Sequence, residues 1–442
     1  MKMKKFFALL LVIVMAFTLV TACNKSTPAA TSGGGDTPAP AAPADNAPAA
    51  PAGNAPAAPA GNAPAAPAGN APAAPADNAP AAPAENKYSS SPVSDPNGDI
   101  IDRSFFTKTW DLDPAVLGTF ELSLSTQNAP ASANGVVLSQ WADMIREATN
   151  GGVDITVFFS GTIAAAGDIL PATLMGLADI GYIPSSNFVS QLPISSLFAL
   201  PATGLNSGAM AAAVFWDMLD SGKYTDVLNR EYEGLKLLMF WTSGAQSVCA
   251  TTAVRTVEDM KGLKLRTIGG VGVDFATMLG AAPVTIPAAD VYDNMSKNIL
   301  DGYIFDWAGI ESYRLYELTN YYSVRCAYTS PTMLCMNIDV WNSLPPEYQE
   351  VIEYFSYRDF SIHYGYALDN VNNVARDQYT TPDELVDFSE EEWGKIQAMC
   401  AEYNAGRVAE LTTSSFDGAQ FLSDMLETAS KYSDDYAYFL YK

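Results

Sequence analysis

Arg266 is the residue whose setting in this sequence indicates chemistry most directly. It lies near the end of a short strand-like run, residues 263–267, and a glycine-rich turn follows at 269–272. A guanidinium group can hold a carboxylate through two parallel hydrogen bonds, and glycines allow a small molecule to approach the backbone closely. The pattern indicates capture of a carboxylate rather than catalysis. The alternative is a surface arginine that pairs with Glu258 or Asp259.

The elements that must position Arg266 alternate between strand and helix patterns. Residues 120–126, 154–159 and 180–183 resemble strands, whereas 136–148 and 172–177 have helical spacing. The apolar face of the first of these helices consists of Val137, Trp141, Met144 and Ile145. This order predicts an α/β fold with a mainly parallel sheet. Open sheets of this kind bind ligands beyond the carboxyl ends of their strands, where Arg266 would lie.

The composition excludes some classes of partner. The formal net charge is -25, and the basic N-terminal segment contributes three of the positive charges. A field of this sign makes nucleic acid an improbable partner. Without the N-terminal region, roughly 350 residues remain, which is enough for two domains.

The cysteines and the single histidine give no sign of a metal site or a catalytic site. Cys249, Cys326, Cys335 and Cys400 lie too far apart in sequence for a zinc knuckle. One disulfide is an open alternative, and buried free thiols are the favoured interpretation. His363 falls on a predicted long helix and is expected to be structural. No cofactor or metal is expected.

The N-terminus has the pattern of an export signal. Three lysines within residues 1–5 precede an apolar run at 6–20, and small residues then lead to Cys23. The arrangement resembles a lipobox, which implies a signal peptide at 1–22 and a diacylglycerol- and palmitate-bearing Cys23. The alternative is an ordinary signal peptide with an incidental cysteine. Lipidation would anchor the protein to the outer face of the cell membrane without spanning it.

The segment that follows, to residue 87, is almost entirely Ala, Pro, Gly and Asn. A unit beginning with asparagine recurs every eight residues from Asn46 to Asn78. It offers no large apolar side chains to bury, so we expect residues 23–87 to form a disordered, extended tether.

Several short motifs occur together with Arg266. In chain order they are Phe-Phe-Ser-Gly at 158–161, Gly-Leu-Ala-Asp-Ile-Gly at 176–181, Leu-Phe-Ala-Leu-Pro at 197–201, Leu-Tyr-Glu-Leu-Thr-Asn-Tyr-Tyr at 315–322 and Met-Asn-Ile-Asp-Val-Trp-Asn-Ser-Leu-Pro at 336–345. From about Phe120 to its end, the chain resembles the extracytoplasmic solute receptors of TRAP transporters, the DctP-like family. Each motif alone is weak evidence, whereas the ordered set is specific.

The resemblance implies a two-lobed, periplasmic-binding-protein-like fold with a hinge, a long bracing helix and a ligand cleft between the lobes. Lobe one would comprise 118–243 with a return segment at about 332–371. Lobe two would comprise 244–331 with C-terminal helices at about 372–442. The expected motion is hinge closure on the ligand.

The resemblance also implies a set of ligand-binding residues around Arg266, which would grip the substrate carboxylate. The further candidates are Asn128, Ser185, Asn187, Gln246, Gly269, Phe305, Asp306 and Trp307. Phe305 and Trp307 would supply apolar walls, or they would pack in the core of lobe two. Asn128 is a ligand contact or an ordinary turn asparagine.

Two departures from the family pattern bear on the ligand. Gln246 falls where many relatives carry a second arginine, and Pro184 replaces an acidic residue of the sialic acid receptors. Asp306 would repel a second carboxylate or accept a hydrogen bond from a hydroxyl or amine. A monocarboxylate is therefore favoured over a C4-dicarboxylate or a sialic acid.

These observations predict a receptor that delivers a small organic acid to a TRAP-type membrane permease. A ligand-sensing lipoprotein that serves a signalling partner is an alternative that the sequence does not separate from this one. A secreted enzyme is disfavoured, since Gly-x-Ser-x-Gly, His-Glu-x-x-His and Cys-x-x-Cys motifs are all absent.

Overall fold

The computed structural model describes residues 100–432. The expected signal peptide, Cys23 and the tether at 23–87 lie outside the described residues. The described strands are β1 Phe120–Ser125, β2 Val153–Phe158, β3 Ile180–Pro184, β4 Leu235–Ala250, β5 Lys264–Thr267, β6 Ala282–Thr285, β7 Gly302–Phe305, β8 Tyr321–Asn337 and β9 Leu385–Val386. They form a sheet in the order β2-β1-β3-β8-β4-β7-β5-β6, with β9 paired to β8.

Helices lie between most of these strands and dominate the C-terminal part. The α-helices are α1 Pro114–Leu117, α2 Ala133–Ala148, α3 Ile169–Leu174, α4 Gly208–Asp220, α5 Thr225–Glu231, α6 Val257–Met260, α7 Val271–Met278, α8 Val291–Ser296, α9 Trp307–Ser312, α10 Ile338–Ser343, α11 Pro346–Tyr354, α12 Tyr357–Tyr379, α13 Glu390–Leu411 and α14 Gly418–Tyr432. Strands β1, β2 and β3 are parallel, as are β5, β6 and β7. The predicted α/β class is confirmed.

Two long strands join the lobes. β4 and β8 run antiparallel to each other from the pair Leu235–Asn337 to the pair Ala250–Tyr321. On its other edge β8 pairs with β3 of lobe one, and β4 pairs with β7 of lobe two. The register shifts between Thr242 and Ala245, close to where the sheet passes from one lobe to the other. The fold is two-lobed, with both crossing strands inside one continuous sheet.

Both faces of the sheet in lobe one are covered. Tyr182 packs in one apolar cluster and the next residue, Ile183, packs in another. Successive strand residues point to opposite faces, so the two clusters lie on opposite sides of the sheet. The predicted inner face of α2 is buried, and Trp141 within it is fully inaccessible.

A partly buried carboxyl group fixes a turn in lobe one. Glu231, the last residue of α5, accepts hydrogen bonds from the backbone N–H groups of Ile194 and Ser195 and from the Ser195 hydroxyl. Burial raises the pKa of Glu231 to about 7. The turn leads directly into the 3-10 segment Ser195–Ala199, which lies at the cleft.

The long helix α12 braces the junction between the lobes. Its Gly365 touches the start of α4 so closely that an added Cβ would lie 2.3 Å from the backbone carbon of Gly208. One turn later, Asp369 accepts hydrogen bonds from the first residues of α4. Asn372 then donates to the carbonyl of Ser243 at 3.3 Å and accepts from the backbone of Ala308 at 2.9 Å. The helix thus holds lobe one, the crossing strand and lobe two together.

Two features differ from the sequence-based expectations. The folded part begins before residue 118, because Ile101 is buried and Gln140 bonds the backbone at residues 100 and 101. The last helix, α14, packs Phe421 in the same cluster as Phe198 of lobe one, whereas residues 372–442 were expected with lobe two. An amphipathic pattern shows that a helix packs, but it does not show on which lobe.

Candidate functional site

Arg266 is buried at the carboxyl end of β5, and no acidic side chain of the described residues forms an ion pair with it. Its side chain is 3% exposed, and its Nε donates to the carbonyl of Ile286 at 3.3 Å. Within residues 100–432, its Nη1 has no hydrogen-bond partner. Burial lowers the pKa of Arg266. A buried cation in this state is poised to bind an anion.

The alternative of a paired surface arginine is wrong. Arg266 is not at the surface, and both candidate acids have other partners. Glu258 forms an ion pair with Lys261 at 2.6 Å, and Asp259 accepts from the backbone of Arg255 and Thr256 at the start of α6.

Aromatic rings line one side of the guanidinium. The centroid of the Phe305 ring lies 4.5 Å from Cζ of Arg266, within the range of a cation–π contact. Phe305 in turn lies nearly parallel to Tyr313, with ring centroids 6.0 Å apart. Gly309 permits this position, since a Cβ there would lie 2.7 Å from the Phe305 ring. Both rings are half-buried and form an apolar wall next to the cation.

Asp306 and Gln246 are held together beside this wall. Gln246 Nε2 donates to Asp306 Oδ2 at 2.9 Å, and the backbone of Gly309 donates to Asp306 Oδ1 at 2.7 Å. Asp306 is thereby the N-cap of α9. Burial raises the pKa of Asp306, against the effect of these donors and of the Arg266 charge. Gln246, where relatives were expected to carry an arginine, here orients a carboxylate.

Lobe one contributes polar groups of unequal accessibility. Asn128 is half-buried, and its Nδ2 donates to Thr126 Oγ1 at 2.9 Å. Ser185 is 1% exposed, and its hydroxyl has no partner among the described residues. Asn187 is exposed and donates to the carbonyl of Ala166 at 3.1 Å, so its amide is engaged within lobe one.

The glycine-rich turn after β5 is where the lobes meet. A Cβ on Gly269 would lie 3.3 Å from the carbonyl oxygen of Ser186, and one on Gly270 would lie 2.9 Å from the Val189 side chain. Gly270 also has a φ of 61°, which disfavours a side chain. Glycine at these positions lets the turn of lobe two approach the backbone of lobe one.

Trp307 belongs to the core. It is 1% exposed and packs against Tyr322 with ring centroids 4.6 Å apart, in a cluster with Val291 and Tyr303. In the sequence analysis, Phe305 and Trp307 had the same two alternatives, a wall of the site or a place in the core. In the structure, β7 ends at Phe305 and α9 begins at Trp307. The change of periodicity turns the second ring away from the cleft.

Three tyrosines that the sequence analysis did not select complete the site. Tyr182 of lobe one interacts with Asn128 and has its pKa raised to about 12, chiefly by burial. Tyr313 and Tyr328 of lobe two lie close enough to Arg266 for its charge to oppose the rise in their pKa. Only Tyr182 could have been found from the sequence, since it lies near the carboxyl end of a predicted parallel strand, where ligands bind.

The other reactive side chains take no part in this arrangement. The four cysteines of the described chain are free, and three are buried, in agreement with the favoured interpretation of the sequence. His363 packs between Phe105 and Phe106, at centroid distances of 4.4 and 5.3 Å. Residues 100–432 contain no group of three or more His, Cys, Asp or Glu side chains that could hold a metal ion. Across the same residues, no helix combines the length and apolar character needed to cross a membrane.

Residues 124–358, more than half of the chain and including every candidate contact named above, match a family model. The family is DctP, described as bacterial extracellular solute-binding protein, family 7. The chain belongs to this family. DctP proteins are extracytoplasmic solute-binding proteins, so the resemblance drawn from the ordered motifs is confirmed.

Named relatives of this DctP protein bind different acids. The 2,3-diketo-L-gulonate-binding periplasmic protein YiaO of Escherichia coli is 24% identical over 240 residues, which cover 53% of this chain and 71% of the relative. A monocarboxylate 2-oxoacid-binding periplasmic protein of Nostoc is 26% identical over 220 residues, which cover 48% of this chain and 58% of the relative.

A solved structure has the same architecture. It is a marine metagenome TRAP solute-binding protein specific for aromatic acid ligands, with a TM-score of 0.64 at 20% identity. The match covers 71% of this chain and 99% of that one. At this level of identity the likeness supports the two-lobed fold.

Proposed function

We propose that this protein is a TRAP-type solute receptor that closes its two lobes around a small organic monocarboxylate, whose carboxylate binds Arg266. The observation that carries the proposal is the unpaired Nη1 of a guanidinium that is 3% exposed. Leaving such a charge without a partner costs several kcal/mol, so the position is retained for a ligand that supplies the anion.

The surroundings of Arg266 favour one carboxylate and an apolar body. The Phe305 and Tyr313 rings offer a flat apolar surface next to the cation. Asp306 is buried near the same cation, and Gln246 has no charge to balance a second ligand carboxylate. A diacid would bring its second negative charge close to Asp306 without a second cation to receive it.

The proposed ligand contacts are Arg266, Phe305, Asp306, Gln246, Gly269, Asn128 and Ser185, together with the three tyrosines. Asn187 is left out because its amide donates to the carbonyl of Ala166. Trp307 is left out because its side chain is in the core. The family and the fold are those of substrate-binding receptors, and we propose that the protein has no catalytic activity.

The proposed partner is the membrane permease of a TRAP transporter, to which the closed receptor delivers its ligand. We propose that Cys23 is lipidated and that residues 23–87 tether the receptor to the outer face of the membrane. Metabolic labelling with palmitate tests this part. Label in the wild type and none in Cys23→Ser is the expected result, whereas equal labelling would contradict the assignment.

Calorimetric titration of Arg266→Ala tests the ligand site. With 3-phenylpropanoate, hexanoate and succinate as probes, we expect a monocarboxylate to bind the wild type. The variant should lose about 30-fold or more in affinity, since removing one member of a buried charge pair costs about 2–5 kcal/mol.

Arg325→Ala is the matched control. Arg325 is a partly exposed, ion-paired residue of β8, with bonds of 2.6 Å and 3.0 Å to Asp387. Its removal should leave the affinity unchanged within about twofold, because a surface pair contributes little. Wild-type affinity in a folded Arg266→Ala protein would refute the site.

A further inference from the structure

Three buried hydroxyl groups near Arg266 lack hydrogen-bond partners. Ser185, Thr267 and Tyr328 are each at most 2% exposed, and the side-chain oxygen of each is unpaired within the described part of the chain. A buried polar group without a partner costs about 1–3 kcal/mol. Three such groups in one region indicate that something other than the protein supplies their hydrogen bonds.

The side chains of Tyr328 and Thr267 meet at the start of α7. A Cβ on Gly272 would lie 2.5 Å from the Tyr328 hydroxyl and 3.4 Å from Cβ of Thr267, so both side chains abut this glycine. Ser185 comes from lobe one and lines the same small pocket as Tyr328 and Gly272. The pocket therefore combines donors from both lobes.

The backbone adds donors at the same place. The N-cap of α7 is Gly270, and no side chain caps the helix. The first N–H groups of a helix have no partner within it, and its N-terminus carries partial positive charge. The acidic side chain of the first turn, Asp274, accepts a hydrogen bond from Tyr403 of α13 at 2.7 Å.

The pocket adjoins the Arg266 site. Thr267 follows Arg266 directly in β5, and Tyr328 pairs with Gln246 across the crossing strands. Tyr328 and Arg266 also interact electrostatically. A small ligand whose carboxylate is on Arg266 can therefore also place a polar group in this pocket, provided that the polar group lies within a few bonds of the carboxylate.

We propose that the hydroxyls of Ser185, Thr267 and Tyr328 and the first amides of α7 form a second subsite, which binds a carbonyl oxygen close to the ligand's carboxylate. The ligand is then an oxo acid. This inference rests on the proposed function, because it requires the carboxylate to be on Arg266.

The size and chemistry of the subsite suit a small acceptor such as a carbonyl oxygen. Backbone amides only donate, so the ligand atom must accept. The pocket leaves about 10 Å³ for the centre of a water-sized group, which is enough for one oxygen atom.

Matched pairs of acids test the subsite in the full-length protein. Phenylpyruvate is compared with 3-phenylpropanoate, and 4-methyl-2-oxopentanoate with 4-methylpentanoate, by calorimetric titration. The wild type should bind the oxo acid of at least one pair about tenfold more tightly, the effect of one or two hydrogen bonds. Thr267→Val and Tyr328→Phe remove one hydroxyl each and should reduce that preference at least threefold.

Tyr322→Phe is the control, since Tyr322 is on the same strand as Tyr328 and is 1% exposed, but its hydroxyl bonds the carbonyl of Thr319. It should keep the full preference. Equal binding of oxo and deoxy acids by the wild type, or an unchanged preference in both variants, would overturn the subsite. Tighter binding of a matched diacid, lost in the same variants, would overturn the carbonyl assignment. Deoxy acids that bind equally well to wild type and Arg266→Ala would instead refute the proposed function.

Discussion

Replacing Arg266 by methionine should make the ligand-free protein more stable while removing its ligand affinity. Methionine is unbranched and flexible, and it can occupy the volume of the arginine stem without a charge. The wild-type guanidinium is buried; it makes one long hydrogen bond to Ile286 and one ring contact with Phe305, and Asp306 acts on it electrostatically. Function and stability therefore conflict at this residue.

The magnitude follows from three contributions. The unpaired buried charge costs several kcal/mol, and the substitution removes that cost. Against it stand the hydrogen bond to Ile286, about 1–2 kcal/mol, and the cation–π contact with Phe305, about 1 kcal/mol. A net gain of about 1–3 kcal/mol remains. At about 2–4 °C per kcal/mol, the melting temperature should rise by several degrees.

Scanning calorimetry of the ligand-free proteins measures this difference, and titration with a monocarboxylate measures the loss of affinity. Arg325→Met is the control, expected to lower the free energy of unfolding by at most about 1 kcal/mol, since a partly exposed ion pair is lost. An Arg266→Met protein that is less stable than the wild type by about 2 kcal/mol and binds ligand normally would refute the reasoning. The guanidinium would then be a structural cation.

Two further predictions concern the framework. Gly365→Ala should lower the free energy of unfolding by about 1–3 kcal/mol, because the added Cβ would collide with the backbone of Gly208. Gly394→Ala is the control: a Cβ at Gly394 would have nothing within 4 Å, so the substitution should raise the free energy of unfolding slightly. Equal effects of the two substitutions in chemical denaturation would contradict the close helix crossing. Glu231 has a pKa of about 7 in the folded protein, above its value in an unfolded chain, so the folded state binds the extra proton between about pH 4.5 and 7. The free energy of unfolding should therefore fall as the pH rises through that window, and Glu231→Gln should flatten the fall; an unchanged pH profile in the variant would show that Glu231 is not responsible.

Much of the fold was predictable because its elements are regular. The inner face of α2 follows from helical spacing, and all four residues assigned to it are buried. The packing of the segment before β1 was not predictable, since Phe106 and Trp110 contact lobe one without belonging to a periodic helix or strand. The packing of α14 depends on tertiary contacts that an amphipathic pattern does not encode.

The site was predictable at Arg266 and less so around it. An arginine near the end of a strand and before glycines has few structural interpretations, and its burial agrees with a binding role. Tyrosines are frequent in this chain, 22 in all, so nothing in the sequence marked Tyr182, Tyr313 or Tyr328 as neighbours of the cation. Tyr182 is on β3, Tyr313 follows α9 and Tyr328 is on β8, so their convergence depends on elements that only the tertiary fold brings together.

The most direct test of the central claim is a crystal structure of the protein with a bound monocarboxylate. We expect a carboxylate oxygen within about 3 Å of Arg266 Nη1 and the body of the ligand against the ring of Phe305. A carboxylate bound elsewhere, with Arg266 paired to Asp306, would contradict the account.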